Sequence, residues 1–210
     1  RPFLLGESGY ENERGSPLHR IRRLMHWNIV CGAIGHGFGN GSIWKAARDW
    51  KVQLESPGSQ ALGRMAAIYG KYPWWKLVPE QPKAEFFVGD PLRIAGAETF
   101  ILSGQEVYDN VLSLDEARGE KFVAAARKPD GRLLMAYFPH GYSKPGIEID
   151  LTKLSGPAVA KWIDPHSGTE QSIERGPLPN QGTKVFTPPG LNRFGDRDWV
   201  LCLEVISPAR

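Results

Sequence analysis

The chain has 210 residues, long enough for one large domain or two small ones with a sizeable core. Its 26 Lys and Arg nearly balance 23 Asp and Glu, and a net charge of +3 gives no strong global pull toward nucleic acid or an anionic membrane. No apolar run approaches the roughly 18 residues of a membrane span, and nothing at the N-terminus resembles a signal peptide.

Phe3, Leu4 and Leu5 form an uninterrupted apolar run, the pattern of a strand covered on both faces as in parallel sheets. Because the chain opens on Arg1 rather than Met and enters this run within two residues, it reads as the back part of a longer polypeptide. Gly6 ends the run and Glu7 follows, which puts a carboxylate at the C-terminal tip of the strand, where α/β folds place reacting groups. A glutamate that merely caps the next turn is the alternative reading.

Ser16-Pro17 is a helix-start signal, and Leu18, Ile21, Leu24, Met25 and Asn28 then share one face at helical spacing. Arg20, Arg22 and Arg23 mostly point elsewhere, which suits a solvated face better than a nucleic-acid patch, since no aromatic residues interleave. Ile29 to Ile34 is a second apolar run and leads into Gly35-His-Gly-Phe-Gly-Asn-Gly41. The order strand, acidic loop, helix, strand, glycine-rich loop is that of consecutive βα units. Neither phosphate-binding glycine pattern can be laid on this loop, so its glycines point to a close backbone approach, with His36 and Phe38 as the presented side chains. His19, His26 and His36 lack close ligand spacing, so neither a metal nor a cofactor is expected.

Ser56-Pro57 repeats the helix-start signal ahead of a stripe of Ala61, Met65, Ile68 and Tyr69. Beyond Trp74, Trp75 and Pro79 the texture is β. Turn sequences at Lys128-Pro-Asp-Gly131 and Pro165-His-Ser-Gly168 predict two hairpins, over 121–138 and 158–174, and 147–151, 184–187 and 199–205 supply further strands. That density of strands predicts an antiparallel β-sandwich over 79–210, after an α/β portion over 1–78. Cys31 and Cys202, assigned to different portions and set among apolar neighbours, read as buried free thiols. Trp162, Trp199, Tyr137 and Tyr142 read as core aromatics.

Several local patterns coincide with one family. Leu5-Gly-Glu-Ser-Gly-Tyr-Glu11, Gly32-Ala-Ile-Gly-His-Gly-Phe-Gly39 with Trp44, and Trp74-Trp75-Lys-Leu-Val-Pro79 resemble the end of the barrel in apiosidase-like glycoside hydrolases. Ala160-Lys-Trp-Ile-Asp-Pro-His-Ser-Gly168 and Asp198-Trp-Val-Leu-Cys-Leu203 resemble the module that follows it, named as a collagen-binding domain of a collagenase. The resemblance implies the last two βα units of a (β/α)8 TIM barrel followed by the sandwich. It implies a glycosidase that works through paired carboxylates, with Glu7 as nucleophile or base and the general acid on an earlier strand outside this chain. It further implies that Tyr10 and Glu11 orient Glu7 or contact sugar hydroxyls, that His36 and Phe38 line the same pocket, and that Trp44 either stacks on sugar or closes the barrel core. The implied substrate is an oligosaccharide or polysaccharide of the plant cell wall, such as apiose-bearing pectin, and the implied location secreted or periplasmic. Ser8 stands where proline is expected, and Gly37 where a hydroxyl residue is common. A second reading is a module that binds collagen or carbohydrate, and a third is a sandwich that only buttresses the barrel.

Overall fold

The computed structural model of the protein describes residues 3–6, 9–13, 16–80, 86–88 and 121–206. Helix α1 spans Leu18–Val30, α2 Gly41–Trp44, α3 Trp50–Gln53 and α4 Pro57–Tyr69. The strands are β1 Val78–Pro79, β2 Ala124–Arg127, β3 Leu133–Phe138, β4 Ile147–Asp150, β5 Ala158–Ile163, β6 Glu170–Ser172, β7 Thr183–Phe186 and β8 Trp199–Val205. The result is a mixed α/β fold whose sheets are antiparallel: one has the order β1-β2-β3-β8-β5-β6, and β4 pairs with β7 in a second.

Both predicted hairpins form. In the first, Lys128 N–H bonds to the Leu133 carbonyl, and Gly131 turns at φ +69°, where a Cβ would overlap the Lys153 carbonyl. In the second, Asp164 accepts from the backbone N–H of His166 and the Ser167 hydroxyl and so shapes the loop between β5 and β6.

The larger sheet is buried on both faces. Alternate residues Ala125, Leu134, Ala136, Phe138, Trp162, Leu201 and Leu203 pack with Ile147, Ile149 and Phe186 of the small sheet. The intervening set, Ala124, Ala126, Met135, Tyr137, Ile163, Val200 and Cys202, packs against Ile21, Met25 and Ile29 of α1 and Ala61, Met65 and Ile68 of α4. Strands covered on both sides read as continuous apolar runs, which is why Trp199–Leu203 carries no polar alternation. Tyr137, Tyr142, Trp162 and Trp199 are core residues, as expected. Neither cysteine is in a disulfide; Cys202 is buried and Cys31 half-buried, and burial pushes their thiols up, to about 12 and about 11.

Helix α4 begins as its sequence predicts, with the Ser56 hydroxyl accepting from Ser59 N–H and Pro57 in the first turn. Helix α1 departs from expectation in three respects. Pro17 rather than Ser16 is its N-cap, without a side-chain bond. It absorbs Ile29 and Val30, because the Cys31 N–H continues the ladder to the Trp27 carbonyl and Ala33 N–H closes on Asn28, so the second extended segment starts after Gly32. Its arginines are not a solvated face either: Arg22 and Arg23 are buried. Arg22 lies against Asp198 and Asp196, and Arg23 covers the Trp27 ring at 5.0 Å, so each guanidinium leaves water with a partner.

The first extended segment also differs. Phe3 and Leu4 are 48% and 57% exposed rather than covered on both faces. Among the described residues that segment bonds on one side only, to the residues after Gly32.

Candidate active site

Two extended stretches run parallel and bring the sequence-predicted residues together. Bridges join Leu5 to His36 and Glu11 to Asn40, with the Ile34 and Gly37 N–H groups bonding to the Phe3 and Leu5 carbonyls and Glu11 N–H to that of Gly39. The glycine-rich loop is thereby held against Gly6 and Tyr10. A Cβ on Gly37 would overlap the Gly6 carbonyl, and one on Gly39 would enter the Tyr10 ring. The close approach inferred from these glycines is made to the neighbouring strand end, and the absence of a hydroxyl side chain at position 37 follows from it. Glu7 lies outside the described residues.

His36 is half-buried, and its Nδ1 is engaged by the Asn28 amide from the last turns of α1. With Nδ2 of that amide as donor, Nδ1 carries the lone pair and Nε2 the proton. Nε2 is buried, with no partner among the described residues, and burial moves the imidazole below its ordinary pKa. The site therefore presents a neutral histidine whose Nε2–H is unpartnered among the described residues. Asn28 was read from sequence only as part of the buried stripe; its spacing of eight from His36 carries no helical signal because the chain reverses at Gly32.

Glu11 is buried, and its carboxylate is bound by the protein itself. Oε2 accepts from Asn40 Nδ2 at 3.0 Å and the Ser56 hydroxyl at 2.5 Å, and Oε1 from Gly58 N–H at 2.9 Å. An anion thus sits on the first turn of α4. A Cβ on Gly58 would overlap both this carboxylate and the Phe38 ring, so glycine there lets the loop and α4 meet. The sequence signal was available in Ser56-Pro-Gly58, a helix start with an unusually small second residue.

Phe38 is half-buried against the helix-side core, and Tyr10 is half-buried over Gly39. Trp44 is 61% exposed, with Nε1 on Glu13 Oε1 at 3.1 Å and Lys45 Nζ 5.0 Å above its ring. That places its indole at the surface beside the loop after Glu11 and outside the core. Elsewhere, between β5, β6 and the segment before β8, a polar concavity of about 310 Å³ is lined by Asp164, Gln171, Asn192 and Arg193 with the edge of Trp199.

Residues 1–76 match the family model described as "Apiosidase-like, catalytic domain", and residues 108–204 match "Putative collagen-binding domain of a collagenase". In structure the chain is similar to a "Glycoside hydrolase" at TM-score 0.70 and 23% identity, covering 100% of this chain and 43% of that one. It is similar to a glycoside hydrolase family 5 protein from Bacteroides vulgatus ATCC 8482 at TM-score 0.68 and 23% identity, covering 98% and 41%. The chain thus spans less than half the length of either structure. No curated protein matches it. The two family models account in series for residues 1–76 and 108–204, and the fold they cover is shared with solved glycoside hydrolases.

Proposed function

We propose that the chain is the C-terminal part of a glycosidase whose substrate is a plant cell-wall glycan such as apiose-bearing pectin. Residues 1–78 supply the last two βα units of its TIM barrel and residues 79–210 a β-sandwich. The observation that carries this reading is the parallel pairing at Leu5–His36 and Glu11–Asn40, with both following loops at the same strand ends, in the stretch that matches the apiosidase-like catalytic domain. The exposure of Phe3 and Leu4 supports it, since these faces await neighbouring barrel elements. Glu7 acts as nucleophile or base. The partner acid comes from residues outside these 210, so the chain alone has no turnover.

In this reading Nε2–H of His36 bonds to a sugar hydroxyl, Tyr10 and Phe38 wall the pocket, and Trp44 offers an exposed ring for stacking. Glu11 acts indirectly, by locking the loop to α4. The sandwich serves as a buttress, supported by the core it shares with α1 and α4. The longer polypeptide is to be assayed on pectic oligosaccharides with and without Glu7→Gln. A loss of about 10²- to 10⁴-fold in kcat is expected; unchanged turnover overturns the assignment.

A further inference from the structure

We propose that His19, His140 and Asp196 form a binding site for a divalent transition cation of the zinc class, which pins α1 to the connections after β3 and before β8. The three side chains come from the first turn of α1 and from two loops more than 50 residues apart, yet one ligand atom from each lies within 4.8 Å of the others. Two imidazoles and a carboxylate suit borderline first-row cations, whereas calcium and magnesium favour all-oxygen shells.

The feature that points to a cation is the surroundings of His140 Nδ1, which lies 3.2 Å from Asp196 Oδ1. Arg197 N–H donates to the same nitrogen at 3.2 Å, and on binding the ion takes over that lone pair from the N–H. With metal–nitrogen and metal–oxygen bonds of about 2.0–2.2 Å, two ligands of a tetrahedral ion stand about 3.3 Å apart. This pair already has that spacing. His19 stacks on His140, with ring centroids 4.4 Å apart at 15°, and offers a nitrogen within 4.8 Å of the other two ligand atoms.

The carboxylate is held for the purpose. Asp196 Oδ2 is fixed by Arg22 Nη2 at 2.6 Å, which directs Oδ1 to His140. The Asn192 side chain accepts from the Phe194 and Asp196 N–H groups and sets the loop. Such outer contacts orient metal ligands and hold their geometry. All three ligand residues are half-buried, so the ion can enter from solvent and keep water in a fourth position.

The test titrates the untagged, metal-stripped chain with Zn(II) by calorimetry and with Co(II) by visible absorption. The comparison is with His140→Phe, which keeps a ring against His19 but removes both nitrogens, and with His19→Gln, which covers the case that His140→Phe does not fold. One saturable equivalent, four-coordinate Co(II) bands, a higher Tm with zinc, and binding weakened about tenfold or more in either variant are expected. Absence of saturable binding, equal binding by wild type and both variants, or a Tm that does not respond to zinc would overturn the proposal.

Discussion

Arg22 and Asp198 meet fork to fork in the middle of the molecule, with Nε donating to Oδ2 at 2.7 Å and Nη2 to Oδ1 at 2.8 Å, both side chains shut off from water. The Tyr137 hydroxyl donates to the same carboxylate at 2.9 Å. Burial alone would push the guanidinium toward its neutral form, but the two aspartates outweigh it and hold Arg22 above its ordinary value. Removing one partner of such a pair strands the other charge. Arg22→Met is expected to lower stability in urea by about 3–5 kcal/mol, and Arg22→Lys, which keeps the charge and loses the fork, by less. A loss under about 1 kcal/mol for Arg22→Met would show that the pair does not hold α1 to the sheet.

Glu11 gives a second, local test. In Glu11→Gln an amide NH2 faces groups that all donate, and the negative charge leaves the first turn of α4. A cost of about 2–3 kcal/mol is expected, with faster hydrogen exchange at the amides of 58 to 60. Gly58→Ala raises helix propensity but runs a Cβ into the Glu11 carboxylate and Phe38, so it too should destabilise. A stabilised Gly58→Ala protein would contradict the packing described.

His26 predicts a pH dependence. It stacks on Tyr137 at 4.7 Å, bonds to the Tyr69 hydroxyl at 3.1 Å and is completely buried; burial, then Arg22, lowers its pKa to about 3. The unfolded imidazole titrates near the ordinary 6.5, so between these values the unfolded chain binds the extra proton. The stabilisation is complete above pH 6.5 and falls as pH drops toward 3. One proton corresponds to about 1.4 kcal/mol per pH unit. His26→Phe should lack this component, so the stability difference between the two proteins should narrow from about pH 7 to pH 5. A constant difference would rule out a neutral, buried His26.

Under the proposed function, Asn28 predicts a kinetic effect in the longer polypeptide. Its amide sets the tautomer and tilt of His36 from the back of α1. Asn28→Ala should leave Tm nearly unchanged and reduce kcat/KM on the order of tenfold to a hundredfold. Partial rescue is expected from Asn28→Gln and none from Asn28→Leu. Equal activity in all three would remove His36 from the chemistry.

Much of the fold was legible because its signals are local. Lys128-Pro-Asp-Gly131 and Pro165-His-Ser-Gly168 name their own turns, and Ser56-Pro57 opens α4 where the spacing of Ala61, Met65 and Ile68 says it should. What escaped depends on partners remote in sequence. Nothing near Arg22 announces an acid 176 residues away, so its charge was read as solvated. Cys31 and Cys202 were assigned to separate portions, yet both touch the core between helices and sheet. His19 showed no ligand spacing because its neighbours His140 and Asp196 lie on other segments. In the candidate site the sequence placed Glu11 and His36 on adjacent loops, but not that Glu11 is already engaged by α4.

The sheet that faces both ways has a practical consequence. Trimming the chain to its β portion would uncover Ala124, Ala126, Met135, Tyr137, Val200 and Cys202 together as a flat, greasy wall. Such a fragment would self-associate and cling to matrices, and its retention on collagen or glycan beads would report adhesion rather than recognition. Ligand screens therefore belong on protein that keeps α1 and α4 in place, and a cloning boundary after Tyr69 would create the artefact it was meant to avoid.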